Sequence, residues 1–117
     1  MSFEKAKYLL LQAKRDLEIG CFDKAVSAAY MAARMGAEVL LRTLGQRDVP
    51  RRDDKLANSI SNLGMGKEGA LLMELYEARK RADYSSEFTD GKLAEKYVEI
   101  SEMMLRRFLR RAETASR

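Results

Sequence analysis

The stretch DLEIGCFDKAVSAAYMAARMGAEVLLRTLG, residues 16–45, decides the fold. Gly20 interrupts one polar-apolar run, and a second run begins at once and continues to Gly45. Glycine accepts the left-handed conformation that closes a helix, so both positions read as helix stops. Between them the spacing predicts a helix over 23–44. At about 100° per residue, Phe22, Ala25, Ala29, Ala32, Gly36, Val39 and Leu40 fall on one side of it. The middle of that stripe is built of small residues, so another backbone can approach closely there. A tightly packed bundle core explains this better than a face for a second copy of the chain, though both meet the pattern.

The same periodicity extends outward in both directions. Phe3, Ala6, Leu10, Ala13 and Leu17 recur at steps of three and four, which predicts a helix over 2–19. GQRDVPRRDD, residues 45–54, is a polar connection around the single proline, Pro50. A shorter helix is expected over 53–63, with Asp53 or Asp54 as its N-terminal cap and Gly64 as its end. The next helix starts near Lys67 and reaches Tyr84 or just beyond, with Leu71, Leu75, Ala78 and Ala82 as its apolar stripe. SSEFTDG, residues 85–91, breaks the pattern and offers Thr89 or Asp90 as a cap. The last helix then runs to about Ala112, with Leu93, Tyr97, Ile100, Met104 and Phe108 facing inward. No strand-like alternation or internal repeat occurs. The expected fold is all-α: one domain over 1–117, an antiparallel up-and-down helical bundle of four long helices plus one short helix.

Composition narrows the chemistry. The chain of 117 residues has no histidine and one cysteine, Cys21. Imidazole acid–base catalysis and a Cys/His zinc site within one chain are therefore excluded, and no metal or cofactor is expected. A lone cysteine fits a reducing compartment. The opening MSFEKAK lacks the order of a secretory leader, and the longest strongly apolar run, AVSAAYMAA at 25–33, is too short to span a bilayer. The expectation is a cytoplasmic protein with no membrane partner. The net charge of +4 permits a nucleic-acid partner without demanding one.

Several stretches carry chemical signals. GMGKEG, residues 64–69, matches G-x-G-x-x-G, but that motif needs a preceding strand. Two helix-end glycines and a linker explain it better. Near the C-terminus, Arg106, Arg107, Arg110 and Arg111 form a basic ridge on one side of the last helix. Such a ridge could grip phosphates; a solvated face with cations near a helix C-terminus is the simpler account. A second basic cluster, Arg47, Arg51, Arg52 and Lys55, flanks Pro50, and nucleic-acid binding gains weight if the two clusters meet. The methionines fall at or near the core stripes and read as gap-filling residues.

The remaining signal is RKRADY, residues 79–84. On a helix Arg79 can pair with Asp83, and Glu77 with Arg81, each four residues apart. Exposed pairs of this kind contribute little. Arg79 and Asp83, however, lie beside the apolar stripe, and Tyr84 adds a phenol next to the carboxylate. A partly buried charge often marks a site.

Taken together, DLEIG (16–20), DKAVSAAYMA (23–32), RKRADY and the helix after it resemble the HEPN domain family, and the similarity covers nearly the whole chain. The resemblance implies a helical bundle, commonly a homodimer. Many members are metal-independent ribonucleases whose motif is an arginine followed, after four to six residues, by a histidine in a cleft between protomers. The arginine maps onto Arg79, and the histidine position holds Tyr84. Tyrosine is a poor general base near neutral pH. The sequence thus departs from the family at the catalytic residue, as does an uncharacterised branch with an Arg-x-Ala-Asp-Tyr motif. Other members pair with a nucleotidyltransferase in a toxin–antitoxin-like couple, and in some a tyrosine near the motif is nucleotidylated.

The resemblance therefore favours a non-catalytic interaction module that binds a nucleotidyltransferase, nucleotide or RNA. The candidate ligand-binding residues are Arg79, Arg81, Asp83, Tyr84, Tyr30 and Arg34. The alternative is a ribonuclease with a degenerate site, in which Arg79, Asp83 and Tyr84 are the catalytic candidates. A general nucleic-acid-binding bundle is a third reading. Residues five apart sit about 140° apart around a helix, so Arg79 and Tyr84 of one chain are not expected to converge. Their meeting across a two-fold axis is the expected alternative.

Overall fold

The computed structural model describes residues 2–115. Five helices form, and no strand occurs among the described residues: α1 (Glu4–Glu18), α2 (Phe22–Thr43), α3 (Asp53–Ser61), α4 (Gly66–Tyr84) and α5 (Gly91–Ala115). The all-α bundle expectation holds. The last helix runs three residues beyond the expected Ala112.

Gly20 and Gly45 end their helices as the sequence implied, with φ of 79° and 95°. Cys21 N–H donates to the Asp16 carbonyl at 2.8 Å, and Gly20 N–H to Leu17 at 3.2 Å. Gln46 and Gly45 repeat the pattern onto Leu41 and Arg42, both at 3.0 Å. Both ends are thus Schellman closures, which satisfy carbonyls that would otherwise lack donors. The α5 start is capped by Asp90, whose carboxylate accepts from Leu93 N–H at 2.8 Å.

Helix α2 is the centre of the molecule and packs against all four other helices. One apolar cluster joins α2 to α3, α4 and α5 through Leu40, Leu56, Ile60, Leu72, Leu75 and Phe108. A smaller one lies between α1, α2 and α5 and is built from Ala6, Ala13, Ala25, Ala29, Ala32 and Leu105. The backbones of α4 and α5 approach little and these helices meet mainly through side chains, so α2 is the central element of both clusters. The small-residue stripe of α2 is internal, with Ala25, Ala29 and Ala32 fully buried. At Gly36, Leu105 Cδ1 lies 3.0 Å from where a Cβ would be. This corrects the idea that the stripe is a face for a second copy: α1 and α5 already fill it.

Two further expectations are corrected. Leu93 points outward, and Ala94, Tyr97, Val98, Ser101, Met104, Leu105, Phe108 and Ala112 form the buried side of α5. Neither Asp53 nor Asp54 occupies the α3 cap position; Arg52 does, with no side-chain cap. Asp53 is instead drawn to α2 by partners described below. Among the described residues no helix is long and apolar enough to cross a membrane.

Candidate functional site

Helix α4 presents Arg79 and Asp83 one turn apart. Arg79 Nε donates to Asp83 Oδ2 at 2.8 Å, and the side chains are 31% and 28% exposed. Ser27 of α2 donates its hydroxyl to both oxygens of the same carboxylate, at 2.7 and 2.9 Å. Asp83 therefore ties the end of α4 to the outer edge of α2.

The Arg79 guanidinium lies between two tyrosine rings. Its Cζ is 5.5 Å from the Tyr30 ring centre and 5.8 Å from that of Tyr84. Both distances fall within cation–π range. The expectation that Arg79 and Tyr84 of one chain stay apart is overturned, because the long arginine side chain bends toward the ring that helical geometry places away from it. Tyr84 is otherwise open: it is 75% exposed, and nearby Phe88 is 92% exposed.

Tyr30 continues the network inward. Its ring also packs on Tyr76, with centroids 6.0 Å apart. Its hydroxyl donates to Asp53. Arg34, one turn along α2, donates from Nη1 to the same Asp53 oxygen at 2.9 Å, from Nη2 to the Arg51 carbonyl at 2.7 Å, and pairs through Nε with Glu38 at 3.2 Å. Burial raises the Tyr30 phenol above the usual tyrosine range, and the Asp53 carboxylate adds to the effect. Burial disfavours the Arg34 charge, but Tyr30, Asp53 and Glu38 outweigh it and strengthen protonation. At the exposed Asp54, slight desolvation is outweighed by Arg52 and the Lys55 N–H, which hold the carboxyl below its usual range. Arg52, Asp53, Asp54, Met73 and Tyr76 line a cavity of about 360 Å³ beside this network.

Five of the six ligand-binding candidates thus join one chain of contacts: Asp83, Arg79 and Tyr84, then Tyr30 and Arg34. Arg81 stands apart, with Nη2 3.3 Å from the Tyr97 hydroxyl. Its expected partner Glu77 pairs with Lys80 at 3.5 Å instead. Ser27 and Asp53 complete the network and were not foreseen. Ser27 lies within the DKAVSAAYMA segment, one turn before Met31, and Asp53 had been assigned to capping.

The basic ridge is divided. Arg106 pairs with Glu102 at 3.5 Å, and Arg107 with the buried Glu68 at 2.5 Å. Arg107, Arg110 and Arg111 line a cavity of their own, while Arg52 of the Pro50 cluster lines the other. Neither cavity has lining residues from both clusters. Among the described residues no three Cys, His, Asp or Glu side chains gather as a metal site.

The Asp83 carboxylate accepts from the Ser27 hydroxyl and from the Arg79 guanidinium. The Tyr84 phenol is the exposed member of the network. The family model for the HEPN domain matches residues 1–112. No curated protein matches the chain.

Proposed function

The chain belongs to the HEPN domain family, and from that membership we propose that it is a non-catalytic interaction module. In this reading it is a homodimer that pairs with a nucleotidyltransferase in a toxin–antitoxin-like system, and Tyr84 is the residue the partner contacts and modifies. The supporting observation is the division of labour within RKRADY. Asp83 is occupied by Ser27 and Arg79, whereas Tyr84 projects with three-quarters of its surface free. With no histidine in the chain, the network holds a guanidinium, a carboxylate and a phenol but no imidazole, the side chain most often used to move a proton near neutral pH. The small-residue face of α2 is filled, so the dimer would use the outer edge where Ser27, Met31 and Tyr84 lie.

The test is incubation of labelled RNA with the purified protein and with its Arg79→Ala variant, in the presence of chelator. Neither is expected to cleave. Cleavage by the wild type that the variant loses would make this a metal-independent ribonuclease and overturn the module. Light scattering at high protein concentration checks the dimer, which a monomer result would refute.

A further inference from the structure

The opposite end of α4 carries chemistry that the Arg79 network does not use. Arg107, Arg110, Arg111 and Thr114 line a cavity of about 370 Å³ whose other wall is Met65 and Glu68. That volume lies in the range of small-molecule sites, about 300–1,000 Å³. Met65 and Glu68 belong to the GMGKEG stretch, which here forms the turn into α4.

Charge in this cavity is unbalanced. Among the described residues Glu68 is the one carboxylate on its lining, and it is engaged by Arg107 Nη1 at 2.5 Å. Among the described residues, neither Arg110 nor Arg111 has a carboxylate within ion-pairing distance. Thr114 turns its hydroxyl proton to the Arg110 carbonyl at 3.0 Å. A helix C-terminus attracts cations to its last turns. That explains why arginines are tolerated there, but not why three of them border one recess together with a methionine. Guanidinium groups that border one recess favour an anion with several oxygens between them. Phosphate oxygens match the fork of an arginine better than a spherical ion does.

We propose that this cavity binds a small oligophosphate anion. Arg110 and Arg111 grip the phosphate oxygens, and Arg107, shared with Glu68, sets the inner limit of the site. The binding is independent of the Arg79 network, since the two sites use opposite ends of α4.

Inorganic tripolyphosphate titrated into the full chain by calorimetry, at near-physiological salt, tests this. Saturable binding is expected, weakened about tenfold or more by Arg110→Ala and by Arg111→Ala, the scale of losing one charge-assisted contact. Arg79→Ala is expected to leave it unchanged, which separates this site from the module reading above. Glu68→Gln is expected to tighten it, because it removes the opposing anion and frees Arg107. Absence of saturable binding, or binding that survives the Arg110→Ala/Arg111→Ala double substitution, would overturn the proposal. So would a short 5′-hydroxyl RNA that displaces tripolyphosphate at equal concentration, because the surface would then read a nucleic-acid backbone. Thermal melts of each variant establish that it is folded.

Discussion

Replacing Asp53 with alanine removes the acceptor on which Tyr30 and Arg34 converge, and its cost follows from who is left without a partner. The Tyr30 hydroxyl belongs to a side chain that is 3% exposed. Stranding a buried donor costs about 1–3 kcal/mol. Arg34 is less affected, since Glu38 at 3.2 Å and the Arg51 carbonyl at 2.7 Å still hold it. Losing one of its contacts adds about 0.5–1 kcal/mol. The expected total for Asp53→Ala is about 1.5–4 kcal/mol, a large share of the ~5–15 kcal/mol typical of a domain. In urea, with a slope of about 1–3 kcal/mol per molar, the midpoint should fall by roughly 0.5–4 M. Asp53→Asn keeps an acceptor for Tyr30 and should cost about 1 kcal/mol. Combining Asp53→Ala with Tyr30→Phe should cost less than the sum of the two, by about 1 kcal/mol, because the second change removes the donor that the first had stranded. An Asp53→Ala protein within about 0.5 kcal/mol of wild type, the range of ordinary surface substitutions, would refute this account of how α3 is held to α2.

The alkaline limb of stability should also report on Tyr30. Its folded phenol holds its proton above the unfolded value of about 10, so its contribution is complete below that pH and is lost as pH rises, when the unfolded chain ionises and the folded chain does not. Urea midpoints measured upward from about pH 9 should therefore fall more steeply for wild type than for Tyr30→Phe; parallel curves would refute the assignment. At Gly69 an added Cβ would lie 2.2 Å from Ser61 Oγ and 2.7 Å from the Ala57 carbonyl oxygen. Gly69→Ala should thus cost about 1–3 kcal/mol by chemical denaturation, and Ser61→Ala should not rescue it, because the Ala57 contact is with backbone.

The sequence disclosed what depends on neighbours along the chain. Helix ends at Gly20 and Gly45 follow from local backbone preference, and the Arg79–Asp83 pair follows from four-residue spacing. Contacts between helices depend on how they are rotated and offset, which spacing does not encode. Asp53 is the clearest case. It sits where a cap is expected, but Tyr30 and Arg34 approach from α2 and draw its carboxylate away. Glu77 had two cations within one turn and took Lys80, while Arg81 reached across to Tyr97 on α5. Leu93 fits the periodicity of α5 but is turned outward, while Ala94 beside it is fully buried. The position of Tyr84 was legible. Its contact with Arg79 was not, since helical angles place Cβ atoms and a long side chain can bend around the axis.

The central place of α2 also orders the events of folding. Helices α1 and α2 are sequence neighbours, as are α3 and α4, so each pair can assemble over a short loop with little entropy lost on closure. Helix α5 has no such partner: it meets the helix before it mainly through side chains such as Arg107 and Glu68, and docks its backbone on α2 and α1, across most of the chain. Until it arrives, Gly36 and the Ala29 carbonyl, which receives the buried Ser101 hydroxyl at 2.7 Å, face water. The docking of α5 therefore completes both apolar clusters, and the slowest part of refolding is expected to be the burial of Phe108 rather than the formation of helix.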